Sequence, residues 1–203
     1  LSSGERMKLD ILPRENITII AALIRSENEN ISNRQLVSVG LGEIDALMLL
    51  SFLPNNTVRV SIIPVDIAIN LPGSNNIQPL SVVFSKGGIA LTADVLNEIL
   101  SLPDSHPQRY ILISREGIER VLGQLGVFEI ASKQMKLKPL GSLLLNNLKM
   151  LNNMDHSQSA IDAIYRVLET NLTVDEFTSL WAFALQRINQ FTYLEIPFDL
   201  QKI

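Results

Sequence analysis

Apolar residues fall in short β-rich runs through the first third of the chain and recur at helical spacing through most of the rest. Asn16-Ile-Thr-Ile-Ile-Ala-Ala-Leu-Ile24 has the composition of a buried strand. Residues 25–43 are polar, contain Gly40 and Gly42, and predict a surface loop. Residues 46–53 and 57–63 predict two strands of a hairpin. Pro54-Asn-Asn56 makes the reversal, because Asn tolerates the left-handed backbone a tight turn needs. Residues 71–76, Leu-Pro-Gly-Ser-Asn-Asn, predict a loop.

After Gly87-Gly88 the period becomes helical, with Leu91, Val95, Leu96, Ile99 and Leu100 on one face, and Pro103 and Pro107 bracket the loop that follows. Residues 109–113 predict a strand. Ser114 is placed to cap a helix that buries Ile118, Val121, Leu122 and Leu125. A strand over 127–131, a helix over 140–151 and a helix over 157–169 burying Ile161, Ile164 and Leu168 come next. Thr173-Val-Asp-Glu176 is a capping box, in which Thr and Glu satisfy each other's backbone N–H groups. It opens a helix with Phe177, Leu180, Trp181, Ala184, Leu185 and Ile188 inward, and residues 192–196 predict a closing strand before Pro197. Strands and helices alternating around one hairpin predict an α/β fold of three layers, a mixed central sheet with helices packed on both faces.

Composition narrows the function. A chain of 203 residues buries a real core, and the expected organisation is a lead-in or linker over 1–15 followed by a single domain over 16–203. The net charge of −4 and the absence of any Lys/Arg run argue against nucleic acid as a partner, since such binding needs a basic footprint. With no cysteine there is no disulfide, thiolate metal site or cysteine nucleophile. His106 and His156 are far apart and match no metal-ligand spacing. The apolar run over 17–24 is too short to cross a bilayer, which takes roughly 20 residues. The chain opens at Leu1 rather than Met, so any membrane anchor is expected in a segment missing from it.

The candidate chemistry is sparse. Asp45 and Asp66 lie at predicted strand ends, where two carboxylates can hold Mg²⁺ through hard oxygen donors and leave positions for a substrate phosphate. The plainer role for both is a solvated residue that ends strand pairing. Lys86-Gly-Gly88 precedes a helix and looks phosphate-friendly, though so short a motif more often marks a hinge. Among the arginines, Arg25 at a strand exit and Arg109 at a strand start are the plausible pocket residues. Arg59 alternates outward between Val58 and Val60, and Arg115, Arg120, Arg166 and Arg187 fall on polar helix faces. The Trp181 stripe would line an apolar ligand tunnel, while core packing is the commoner use of such a stripe.

Residues 43–66 carry a resemblance. An Asp opens one strand, Asp45, and Pro64-Val65-Asp66 closes the next, which resembles the LytR-CpsA-Psr family of cell-envelope phosphotransferases, where the closing element is Pro-Arg-Asp. The likeness covers most of residues 16–196. Asn16-Ile-Thr-Ile-Ile resembles the family's first core strand, but Ala21-Ala22-Leu23 stands where the family has Gly-x-Asp. The Gly87-Gly88 helix and the 110–126 strand-helix unit are also similar, with Gly123 in place of an Asp, and residues 170–180 resemble a helix start. After Val127 the family's arginine-bearing elements have no counterpart, and residues 127–165 contain no arginine.

The resemblance implies an extracytoplasmic domain, anchored to the cytoplasmic membrane, acting in cell-envelope assembly on a polyprenyl-pyrophosphate-linked glycopolymer, with Mg²⁺ and an apolar tunnel for the lipid. Two functions follow. The first is a binding or scaffold domain for such a polymer or another apolar ligand, with phosphotransfer lost or weakened. The second is an active Mg²⁺-dependent phosphotransferase that moves the polymer to the cell wall, with Asp45 and Asp66 on the metal and Asp66, Arg25 and Arg109 as the catalytic set. Loss of arginines from a pyrophosphate site favours the first, since each such group is worth a few kcal/mol in a transition state.

Overall fold

The computed structural model describes residues 16–25, 42–55, 57–71, 76–100, 109–114, 117, 164–186 and 191–195. The expected lead-in, most of the 25–43 and 71–76 loops, the 127–131 strand, the 140–151 helix, Gly123, His106 and His156 lie outside them. So do Arg115, Arg120 and Arg187.

The strands are β1 (Ile17–Arg25), β2 (Glu43–Phe52), β3 (Val58–Ile63), β4 (Ala68–Asn70), β5 (Ile77–Pro79), β6 (Arg109–Ser114), β7 (Leu168–Thr170) and β8 (Phe191–Glu195). The helices described with both ends are α1 (Val83–Leu100), entered through a 3-10 turn at Leu80–Val82, and α2 (Val174–Gln186). Six strands make one sheet in the order β7-β6-β1-β2-β3-β8, and β4 and β5 form a separate two-stranded ribbon. β1, β3, β6 and β8 run in one direction while β2 and β7 run against them. The sheet is therefore mixed, as the alternation of elements predicts.

β1 is central and buried on both faces because its two sets of alternating side chains enter different cores. Ile20, Ala22 and Ile24 join Leu47, Leu49, Ile63 and Leu112 beneath α1, which contributes Val83, Phe84, Val95 and Leu96. Ile19 joins Phe52 and Val58 on the other face beneath α2, which contributes Phe177 and Phe183. Burying apolar surface on both faces is what makes the run over 17–24 apolar at almost every position. The three-layer architecture follows directly from these two cores.

Three local outcomes differ from the sequence expectation. The helix expected after Gly87-Gly88 forms there, but a further helical segment from Val83 precedes it, and the non-helical glycine pair is the kink between the two within α1. Gly88 has φ 63° and ψ −155°, a backbone region open essentially to glycine alone. Thr92, fully buried, donates from Oγ1 to the Gly88 carbonyl at 2.8 Å, giving that acceptor a partner beside the break in the helical ladder.

The helix expected over 157–169 stops at 167, and Leu168–Thr170 leaves it to pair with β6. Side chains hold that junction: Thr170 Oγ1 donates to the Tyr110 carbonyl, and the Tyr110 N–H donates to Asn171 Oδ1 at 2.9 Å. The capping box at Thr173 forms in full, with Glu176 N–H donating to Thr173 Oγ1 at 3.2 Å and Thr173 N–H to Glu176 Oε2 at 2.8 Å. The third difference is Phe183, which sequence periodicity leaves off the inward face of α2; it is almost fully buried and meets Phe52 edge-on at 5.9 Å.

Candidate functional site at the carboxyl ends of the parallel strands

Ligands of open α/β sheets bind beyond the carboxyl ends of the parallel strands. In this sheet those ends are Arg25 on β1, Ile63 on β3, Ser114 on β6 and Glu195 on β8. The antiparallel strand β2 begins at the same end, at Glu43.

Asp45 owes its position to a break in register. β1 pairs with β2 at Leu23↔Ala46 and then at Ile24↔Ile44, so Asp45 is the extra residue of a β-bulge. The bulge is visible in the apolar phase: Ile44, Leu47 and Leu49 share one core although Ile44 and Leu47 are three residues apart. Past the bulge Arg25 faces Glu43 across the ladder. Its Nη2 lies 2.8 Å from Glu43 Oε2 and its Nε 3.5 Å from Asp45 Oδ1. The Asp45 side chain is only 14% exposed, whereas that of Arg25 is 56% exposed.

Asp66 reaches the same end by another route. The β2/β3 ladder closes at Leu47↔Ile63, and the chain turns through Pro64, Val65 and Asp66. The turn is pinned on both sides of Asp66, by Ser81 N–H donating to the Val65 carbonyl at 2.8 Å and Leu80 N–H to the Ile67 carbonyl at 2.9 Å. Asp66 is left exposed while Val65 packs against the core beneath α1. The residue that stands where the resemblance implies a guanidinium thus serves as a packing group.

Arg109 does not join them. It pairs with Ile19, so it stands at the far end of β1, about 20 Å of strand from Arg25 at roughly 3.3 Å per residue. There its Nη2 holds Glu176 Oε1 at 2.8 Å and ties β6 to the first turn of α2. The Thr173 N–H bond, together with the Arg109 guanidinium, holds the Glu176 carboxyl below its ordinary range. Tyr110, beside Arg109, is pushed up by burial and by the Glu169 carboxylate. This end of the sheet is a structural junction. Sequence reasoning put Arg25 and Arg109 in one pocket because both flank strands; the parallel register separates them.

The Trp181 stripe packs as core. Phe177 stacks on Trp181 at 5.9 Å and meets the tilted ring of Tyr165 at 5.4 Å, and Leu180, Trp181 and Ala184 lie against the core beneath α2. Lys86 is exposed beside the α1 kink, and Arg59 and Arg166 are exposed as their patterns predict. Glu43 is not a site residue in the sequence reading, since 17 residues separate it from Arg25 and only the ladder reveals the pair.

Among the described residues no group of three or more His, Asp or Glu side chains is arranged to hold a metal. The donor chemistry of Asp45 and Asp66 nevertheless suits Mg²⁺, which is commonly held by one or two carboxylates with water and substrate phosphates completing its shell. The guanidinium at Asp45 marks that carboxylate as a place where a cation sits. Bound there, Mg²⁺ would supply charge neutralisation for a phosphate.

Sequence comparison finds nothing: no protein-family model matches the chain and no curated protein does. Structure comparison is informative. The chain has the fold of LytR-CpsA-Psr proteins. It superposes on Bacillus subtilis TagV with a TM-score of 0.64 at 16% identity, covering 92% of this chain and 86% of that one. It is similar to TagT bound to LI-WTA, with a TM-score of 0.63 at 14% identity, over 90% of this chain and 79% of TagT. Protein gbs0355 from Streptococcus agalactiae matches with a TM-score of 0.67 at 12% identity, over 90% of this chain and 77% of that one. At such identities the likeness establishes the fold.

Proposed function

We propose that this protein is an extracytoplasmic domain of cell-envelope assembly that binds a polyprenyl-pyrophosphate-linked glycopolymer, with phosphotransferase activity weakened or lost. The observation that carries it is Val65, a partly buried apolar side chain packed against the core where catalysis on a pyrophosphate would want a guanidinium. Arg25 at this end of the sheet is already engaged by Glu43 and Asp45, and exposed Asp66 adds a further negative charge. Such a balance disfavours a pyrophosphate in its ground state and more so as negative charge develops. Binding then rests on the lipid and the glycan. TagT, which shares the fold, is bound to LI-WTA in its structure, and that supports a ligand of this kind. Among the described residues no helix is long and apolar enough to cross a membrane.

The test is incubation of the protein with Mg²⁺ and a polyprenyl-pyrophosphate-linked glycan, with transfer and binding measured in parallel. Binding without turnover is the expected result. Turnover that disappears in Asp45→Ala and Asp66→Ala would replace the binding domain with a phosphotransferase.

A further inference from the structure

We propose that Arg25 is an internal cation that competes with a divalent metal ion for Asp45, so that the Arg25–Glu43 pair sets the metal affinity of this end of the sheet. The inference rests on Asp45 and Asp66 being the oxygen donors that the resemblance implies, and it goes beyond that assignment by giving Arg25 and Glu43 opposed roles.

Register and bulge together create the arrangement. Arg25 and Glu43 are ladder partners and would meet in any regular continuation of β1 and β2. The extra residue at 45 brings a second carboxylate within 3.5 Å of the same guanidinium, through Nε, while Nη2 stays 2.8 Å from Glu43. Asp45 is largely shielded from water, so its charge needs a counterion close by. The guanidinium supplies one, but it is more than half exposed and can leave without crossing a packed core. A metal ion bonded to an Asp45 oxygen would sit about 2 Å from it and within a few ångströms of Nε. Two cations that close repel, so occupancy by one weakens the other. Glu43 decides how far the guanidinium retreats. It retains Arg25 near Asp45 when the metal is absent and takes the whole ion pair when the metal binds.

The pair can be removed without altering net charge. Arg25→Gln/Glu43→Gln takes away one positive and one negative charge, so any change in metal affinity is local in origin. Mn²⁺ serves as the probe, its free concentration read by electron paramagnetic resonance as the folded protein is titrated. The expected result is that the double variant binds Mn²⁺ about fivefold more tightly than the unmodified protein, the factor a partly exposed ion pair is worth. Asp45→Asn, added to the double variant, should abolish that gain. Arg25→Lys, which keeps a cation on a stem that cannot bridge two carboxylates side by side, should fall between the two and serves if the double variant does not fold.

Equal or weaker Mn²⁺ binding by the double variant overturns the competition and leaves the carboxylates as a metal site. Absence of Mn²⁺ binding in every variant overturns the metal assignment and the competition together. Neither outcome touches polymer binding, which rests on the lipid and the glycan and is read separately.

Discussion

Arg25 Nε lies 3.5 Å from Asp45 Oδ1 although the two residues are not partners in the β1/β2 ladder; the bulge between Ile44 and Ala46 brings them together. The contact therefore depends on backbone geometry at the sheet end more than on the choice of side chains. Gly42, just before β2, is part of that geometry. Its φ is +106°, and a Cβ there would lie 2.5 Å from the Arg25 carbonyl oxygen and 2.9 Å from Ile24 Cγ2.

Gly42→Ala is accordingly expected to lower stability by on the order of 1–3 kcal/mol through backbone strain and the clash with Arg25. Thermal unfolding should report a Tm lower by several degrees, at about 2–4 °C per kcal/mol for a chain of this size. An unchanged Tm would show that the β1 end yields without cost.

The kink in α1 gives a second glycine test of different origin. Gly88→Ala should cost roughly 1–3 kcal/mol because φ 63°, ψ −155° is closed to residues with a side chain. Gly87→Ala should also destabilise, here because its Cβ would fall 2.6 Å from that of Leu91. Denaturant unfolding of both variants checks this, and a stabilised Gly88→Ala would mean that α1 straightens.

Glu176 should make stability depend on acid. Its folded pKa is lowered, so its contribution is fully present above the unfolded carboxylate value and is lost as pH falls through the folded value. Glu176→Gln should cost about 1 kcal/mol at neutral pH, a modest figure because both side chains of the Arg109–Glu176 pair are more than a third exposed. The difference between the two proteins should close as pH drops below about 4. A difference that is constant from pH 7 to 3 would remove ionisation from the account. Arg109→Gln should share this stability phenotype and leave Mn²⁺ binding unchanged.

Phe183→Ala should be the severest of these changes, at about 3–5 kcal/mol, because a fully buried ring and its edge contact with Phe52 are both lost. Val174→Ala, at an exposed position at the start of the same helix, should stay within about 0.5 kcal/mol. Comparable losses for both would contradict the burial pattern of α2.

Much of the architecture is legible in the chain because the deciding signals are local. The 17–24 run, the Pro54-Asn55 reversal and the Thr173/Glu176 box each lie within a few residues, and each forms as expected. What stays hidden depends on partners distant in sequence. β7 is made by Thr170 and Asn171 reaching Tyr110, sixty residues away, and no helical or strand period announces that exchange. β4 and β5, three residues each, are too short to carry a period. At the candidate site, Asp45 and Asp66 share one end of the sheet because β2 and β3 form a hairpin, which the sequence does predict. The separation of Arg25 from Arg109 depends on the parallel β1/β6 register, and that has no local signature.

The bulge at Asp45 has a consequence for how this site can be edited. The apolar phase of β2 is that of a strand one residue shorter, with Ile44 and Leu47 already facing the same core. Excising Asp45 would therefore let β1 and β2 zip into an uninterrupted ladder, with every core side chain still on its own face. The carboxylate is a surplus residue grafted onto a sheet that closes without it. Deleting that one position should erase the site while leaving the fold intact, or firmer than before.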